Sequence, residues 1–203
     1  MIGGGGAGST WKGPPMPASL HLYVEDVDAL YERALQAGAT SLMGPADQEY
    51  GERSAAFLDP GGNHWYPATA VGAHYILEGA QNLMPYLHQR GALKQIDFLK
   101  IAFGAEEIMR HESPDGIIYH AKIKIVDSIV EMGEAHDPWL PMPMHFMLYV
   151  DDADAWYARA MQTEGAISMG APANQGYGGR TGSVKDPFDN VWYISGPIKE
   201  AKS

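Results

Sequence analysis

The chain has 203 residues, 45% of them apolar, enough to close a hydrophobic core and to exclude wholesale disorder. A formal charge of −11 argues against nucleic acid or an anionic membrane as partner, because phosphate binding needs basic surface. The absence of cysteine excludes disulfides, thiolate metal sites and cysteine nucleophiles.

Residues 1–16 read as a flexible Gly/Pro-rich N-terminus. Gly3–Gly6 is no phosphate loop, since neither a strand nor a helix flanks it properly. Met1–Thr10 lacks the charged start and apolar stretch of a signal peptide, and no apolar run approaches the ~18–20 residues of a membrane span. The expectation is a cytoplasmic α+β protein. Leu20–Val24 is a short β-type run, and Asp26 suits a helix N-cap. Val27, Leu30, Tyr31, Ala34 and Leu35 then follow helical spacing, with Gly38 as a left-handed stop. A strand, a polar loop, a second strand (Arg53–Leu58), a D-P turn and a third strand ending in Trp65-Tyr66 complete a β-α-β-β-β unit over 17–68.

A second unit with different residues spans 80–134. Met84–Leu87 is its first strand, Leu93, Ile96, Leu99 and Phe103 form a helical stripe, and Gly104 ends the helix. Ala105–Glu112 and Ile117–Val126 read as a hairpin joined by S-P-D-G, and Ser128–Gly133 closes the unit. A linker rich in Met and Pro leads into a third unit over 142–196. There the strand Phe146–Val150, the cap Asp152, the stripe Ala153, Trp156, Tyr157, Ala160 and Met161, the stop Gly165 and the strand Arg180–Lys185 repeat the first unit.

The repetition is a duplication. Residues 23–37 match 149–163 at 9 of 15 positions, and 38–66 match 165–193 at 14 of 29. Chance identity is ~6% per position. The N-terminal order of Gly, Trp and Pro-Met-Pro also mirrors the linker before the third unit, as though the chain descends from a four-unit protein.

Paired βαβββ units carrying Y-V-x-D-x-D-A, F-G-A-E-E, S-P-D-G and D-P-x-x-N-x-W resemble the glyoxalase/bleomycin-resistance/extradiol-dioxygenase (vicinal oxygen chelate) superfamily. That resemblance implies that two units dock side by side and form a cup. In metal-dependent members, first and last strands of each unit supply His, Gln or Glu ligands to a divalent ion. It places these positions on Met84, Glu131, His145 and Tyr193, with Ser19 and Tyr66 as the first unit's equivalents. Only Glu131 and His145 are ordinary metal ligands; a thioether suits hard ions poorly, and a phenol must shed a proton of pKa about 10.

Other candidates carry two readings each. His120 shares a strand face with Ile118 and Lys122, and either lines the cup or is solvated. Gln48-Tyr50-Gly51-Arg53 and Gln175-Tyr177-Gly178-Arg180 either present Tyr177 and Arg180 to a ligand or hold a barrel edge, the Arg pairing with a helix-start Asp. Trp192 and Tyr193, like Trp65 and Tyr66, either wall the cavity floor or are plain core, as aromatic strand residues more often are. His64, His74, His88, His111 and His136 match no ligand position and are expected in loops or at the surface.

The expected arrangement pairs 80–134 with 142–196 as one complete cup. It leaves 17–68 as an orphan unit that pairs with a second chain in a homodimer. Two function classes follow. The first is a binding protein for a small organic molecule, without the full metal site. The second is a divalent-metal-dependent lyase, isomerase or dioxygenase using Glu131 and His145. A purely structural role gains weight if side chains fill the cup.

Overall fold

The computed structural model describes residues 16–72, 74–77, 79–137 and 139–198. The N-terminus read as flexible lies, apart from Met16, outside the described residues. The first unit runs β1 (Ser19–Tyr23), α1 (Val27–Gln36), β2 (Thr40–Gln48), β3 (Glu52–Leu58) and β4 (His64–Ala70). The second runs β5 (Leu83–Gln89), α2 (Ala92–Phe103), β6 (Glu106–Glu112), β7 (Ile118–Ile125) and β8 (Ser128–Glu134). The third runs β9 (His145–Tyr149), α3 (Ala153–Met161), β10 (Ile167–Asn174), β11 (Gly179–Lys185) and β12 (Val191–Pro197). The fold is α+β, built from three βαβββ units.

Local chemistry explains the repeated boundaries. Asp26 and Asp152 are extended N-caps that accept from Ala29 N at 2.9 Å and Ala155 N at 3.2 Å. Gly38 and Gly165 leave the helices at φ +95° and +81°, where a side chain would be strained. The D-P-x-x-N-x-W motif is a folded turn. Asp59 accepts from the amides of Gly61 and Asn63, the Asn63 side chain and Trp65 Nε1. Asp186 does the same for Phe188, Asn190 and Trp192, and its Oδ2 also accepts from Gln95 of α2.

Sheet pairing corrects the expected partnership. The first and second units share one eight-stranded sheet, ordered β2-β3-β4-β1-β5-β8-β7-β6. Its halves join where β1 runs antiparallel to β5, with His21 opposite Met84. The third unit forms a separate four-stranded sheet, β10-β11-β12-β9. Thus 17–68 is not the orphan, and 80–134 and 142–196 do not share a sheet.

The physical reason lies in α2. Gln95, Ile96, Phe98, Leu99, Ala102 and Phe103 are all buried, so this helix needs cover on more than one side. The second unit's own strands cover one side and α3 covers another. Trp192 stacks on Phe146 at 4.2 Å and packs against Phe103 at 4.9 Å, in a core continuous from Ile123 to Ile194. Arg159 Nε donates to Ala102 O at 2.8 Å across the helix pair. The sequence-derived stripe on α2 was too narrow, and Leu93, placed on it, is exposed. By contrast α1 fully buries only Val27.

Candidate functional site

Strand alternation aims one side chain in two from each central strand onto the same face of the eight-stranded sheet. From β1 these are Ser19, His21 and Tyr23, and from β5 Met84, Tyr86 and His88. β7 gives His120 and Lys122, and β8 gives Glu131. Glu52 joins them from the start of β3. The result is a buried polar cluster at the seam of the two units. Glu131 is fully buried, Glu52 is 4% exposed and His21 6%.

The contacts form a chain. Glu131 Oε2 is 2.6 Å from His21 Nδ1, and the other ring nitrogen of His21 faces Glu52 Oε2 at 3.9 Å. The Tyr23 hydroxyl donates to Glu52 Oε1. Lys122, directly across from Glu131 in the β7–β8 register, brings Nζ to 3.0 Å from Oε1. The angles of that ion pair fall outside hydrogen-bond geometry, so Oε1 keeps an unmade bond, as does His120 Nε2, 3.7 Å away. The two carboxylates face Lys122 and a ring whose nitrogens each meet a carboxylate.

Electrostatics follow from burial and these partners. Burial alone would raise the Glu131 carboxyl, but His120 and His21 outweigh it and hold the group well below the usual carboxylate range. Burial, then the bond to Glu52, pushes the Tyr23 phenol far above its ordinary value. Burial and the Glu131 charge do the same to Tyr86. Gly133 lets this ring lie against β8, since a Cβ there would stand 2.8 Å from Tyr119 O and 3.2 Å from the Tyr86 hydroxyl.

An aromatic wall continues the cluster. Tyr66 bonds His88 Nε2 at 2.9 Å, and Trp139, from the linker, stacks on His88 at 6.0 Å and meets Tyr66 edge-on. Burial raises the Tyr66 phenol to about 12. Burial, with the positive potential of His64 and His136, drives His88 down to about 4. His88 therefore belongs to the interior, and His64 opens β4, against the expectation of loop or surface positions. His74, His111 and His136 are exposed as expected.

Of the residues singled out in the sequence, Met84, Glu131 and His120 meet in this cluster. His145 and Tyr193 pair with each other, rings 5.8 Å apart, on the third unit's separate sheet. Glu131 and His145 thus belong to different sheets. Trp192 is core, 1% exposed, and also borders the depression between the second and third units. Arg180 holds Asp154, in the first turn of α3, with two bonds of 2.6 and 2.7 Å, and Arg53 holds Asp28 in the same way. Tyr177 is exposed, its hydroxyl on Thr181. The Q-x-Y-G-x-R motif therefore ties its loop to a helix start in both copies, and in the first copy it also carries Glu52 into the polar cluster, with Tyr50 near enough to feel the charges of Glu52 and Glu131.

Sequence reasoning missed His21, Glu52, Tyr86 and Lys122. The signal was in the register: Glu131 pairs with Tyr86 across β5–β8, and Tyr66 pairs with His21 across β1–β4. The first-strand positions facing the last strands are therefore His21 and Tyr86, two residues beyond the Ser19 and Met84 expected.

One surface depression borders the cluster at Tyr23 and another lies between the second and third units. The first, of about 370 Å³, is bounded by Tyr23, Asp26, Arg33 and Tyr75, and the second, of about 210 Å³, by Leu83, Ile129, Phe146 and Met147.

A family model of the Glyoxalase/Bleomycin resistance protein/Dioxygenase superfamily matches residues 7–66. An uncharacterized protein of Mycobacterium bovis is 34% identical over 131 residues, covering 58% of this chain and 84% of that protein. The chain belongs to the glyoxalase/bleomycin-resistance/dioxygenase superfamily. An uncharacterized protein of Mycobacterium tuberculosis has the same identity over 75% of its length. Among solved structures, glyoxalase I from Zea mays superposes with a TM-score of 0.63 at 16% identity, over 89% of this chain and 66% of that one. That likeness is one of fold.

Superfamily membership raises the question of a divalent ion, and the donor set answers it poorly. Among the described residues no three His, Asp or Glu side chains converge as ligands. Of the four strand positions identified by register, two are tyrosines held protonated by burial. At Glu131 the near cation is the Lys122 ammonium. These residues do not fit a divalent ion as they stand.

No helix among the described residues is long and apolar enough to cross a membrane.

Proposed function

We propose that this protein binds a small organic molecule in the cup between its first and second units, over the floor made by His120, Lys122 and Glu131. The carrying observation is a fully buried carboxylate with one oxygen lacking a hydrogen bond, beside an imidazole nitrogen in the same condition. A buried group without a good hydrogen bond costs about 1–3 kcal/mol; Lys122 offsets part of this at Oε1, and a ligand bridging both atoms would remove the remainder. Tyr66, Tyr86 and Trp139 supply the adjoining aromatic surface for the ligand's apolar part. Ligand-observed NMR with small neutral phenols and aromatic amides tests this. At least one is expected to bind the wild type and to lose about tenfold or more in affinity on His120→Ala. Probes that bind the two forms equally, or bind neither, sink the reading.

The homodimer belongs to the same proposal with its contact moved to the third unit. The outer edge of β9 has no strand neighbour among the described residues, whereas β1, the matching strand of the first copy, is covered by β5. Met147 and Tyr149 stand exposed on this strand. Light scattering is expected to give a dimer for the wild type and a monomer for Met147→Lys. A wild-type monomer at micromolar concentration counts against it.

A further inference from the structure

A buried carboxylate requires a counter-charge, and an interior holding both Glu52 and Glu131 requires it twice over. A divalent ion is one solution and a side-chain cation is another. Lys122 stands directly opposite Glu131 across β7–β8, so the sheet itself delivers its stem to the site. Its Nζ is 3.0 Å from Oε1, its side chain is 11% exposed, and its ammonium lies 5.9 Å from the centre of the Tyr23 ring. An ammonium has only hydrogens to offer and cannot be a ligand. It also repels any dication brought to the same oxygen. The two solutions therefore exclude each other.

Two donor atoms beside the ammonium lack a well-formed hydrogen bond. Glu131 Oε1 and His120 Nε2 are 3.7 Å apart, and neither has a hydrogen-bond partner. Ligands at about 2.1 Å from a first-row ion stand roughly 3–3.6 Å from one another, so this pair is near a chelating separation. His21 and Glu52 adjoin it. The duplicated third unit has Met147 where the first has His21, and Gly179 where it has Glu52. The charged cluster is thus a property of this cup and not of the repeated scaffold.

We propose that Lys122 is the resident cation of the cup, holding by covalent attachment the place in which a divalent ion would otherwise balance Glu131. Removing the lysine then opens a divalent-metal site on Glu131 and His120. Electron paramagnetic resonance with Mn²⁺ tests this on the full chain. The wild type is expected to leave Mn²⁺ free. Lys122→Ala is expected to bind one equivalent at least about 100-fold more tightly, with a Mn²⁺-dependent rise in Tm. Adding Glu131→Gln to that variant should abolish both effects. Saturable Mn²⁺ binding by the wild type that Glu131→Gln removes overturns the proposal, as does a folded Lys122→Ala protein with no gain.

Should Lys122→Ala not fold without the ion, refolding from urea with and without Mn²⁺ decides. Recovery only with Mn²⁺ supports the proposal, and no recovery in either case overturns it. The neutral-probe binding described above is read independently. A metal result against Lys122 therefore leaves the small-molecule reading standing.

Discussion

Glu131→Ala is expected to lower the unfolding free energy by about 3–5 kcal/mol, because it leaves Lys122 and His21 without their shared buried partner. Surface ion pairs in the same protein, such as Lys185 with Asp189, lose far less, since solvent screens them. Urea unfolding at neutral pH measures the difference. The pH dependence has a definite sign. The carboxyl of Glu131 lies well below its unfolded value in the folded protein, so between the two values the unfolded chain binds the extra proton. Stability therefore rises with pH through that window, is fully present above the ordinary glutamate value of about 4.3, and drains as pH falls through the folded one. Glu131→Gln should flatten the acid limb of a stability–pH profile while lowering its plateau. An acid limb that keeps its wild-type slope in that variant would assign the acid sensitivity to other groups and remove Glu131 from the centre of the network.

The units were legible in the sequence because their signals are local. Asp26 and Asp152 cap helices within three residues, and Gly38 and Gly165 stop them. Asp59 and Asp186 each gather a turn whose donors lie within seven residues. The strand position of Glu131, which the structure buries in the polar cluster, was also legible, because it is set by the unit's own pattern. Which units share a sheet was not. The seam between β1 and β5 is made of backbone bonds between residues some 60 positions apart, and backbone bonds leave no side-chain signature. The informative clue was the two-sided burial of α2, which resembles a single stripe until Phe98 and Ala102 are counted on its other side. With the wrong seam, His145 looked like the partner of Glu131 and His21 was overlooked. Lys122 was named only as a neighbour of His120, because alternation fixes its face but not the carboxylate across the ladder.

The turn aspartates provide the second large effect, with a control built into the duplication. Asp186 is 1% exposed and accepts five hydrogen bonds, from the amides of Phe188 and Asn190, the Asn190 side chain, Trp192 Nε1 and Gln95 Nε2. Asp59, the same residue in the first copy, accepts four and is partly exposed. Removing an acceptor strands each buried donor at about 1–3 kcal/mol, whereas a donor that can reach water recovers most of that. Asp186→Ala is therefore expected to lose about 3–4 kcal/mol and Asp59→Ala about 1–2 kcal/mol. Urea denaturation of the two variants measures both. The fifth bond adds a specific consequence, since Gln95 belongs to α2 and Asp186 to the third unit. Gln95 Oε1 is already without a partner, so losing Asp186 leaves the whole side-chain amide unsatisfied inside the core. Near-ultraviolet circular dichroism of Trp192, which packs against Phe103 of α2, should then weaken in Asp186→Ala and not in Asp59→Ala. Equal losses in the two variants would mean that the turn alone is at stake and that Gln95 does not fasten the third unit to the second.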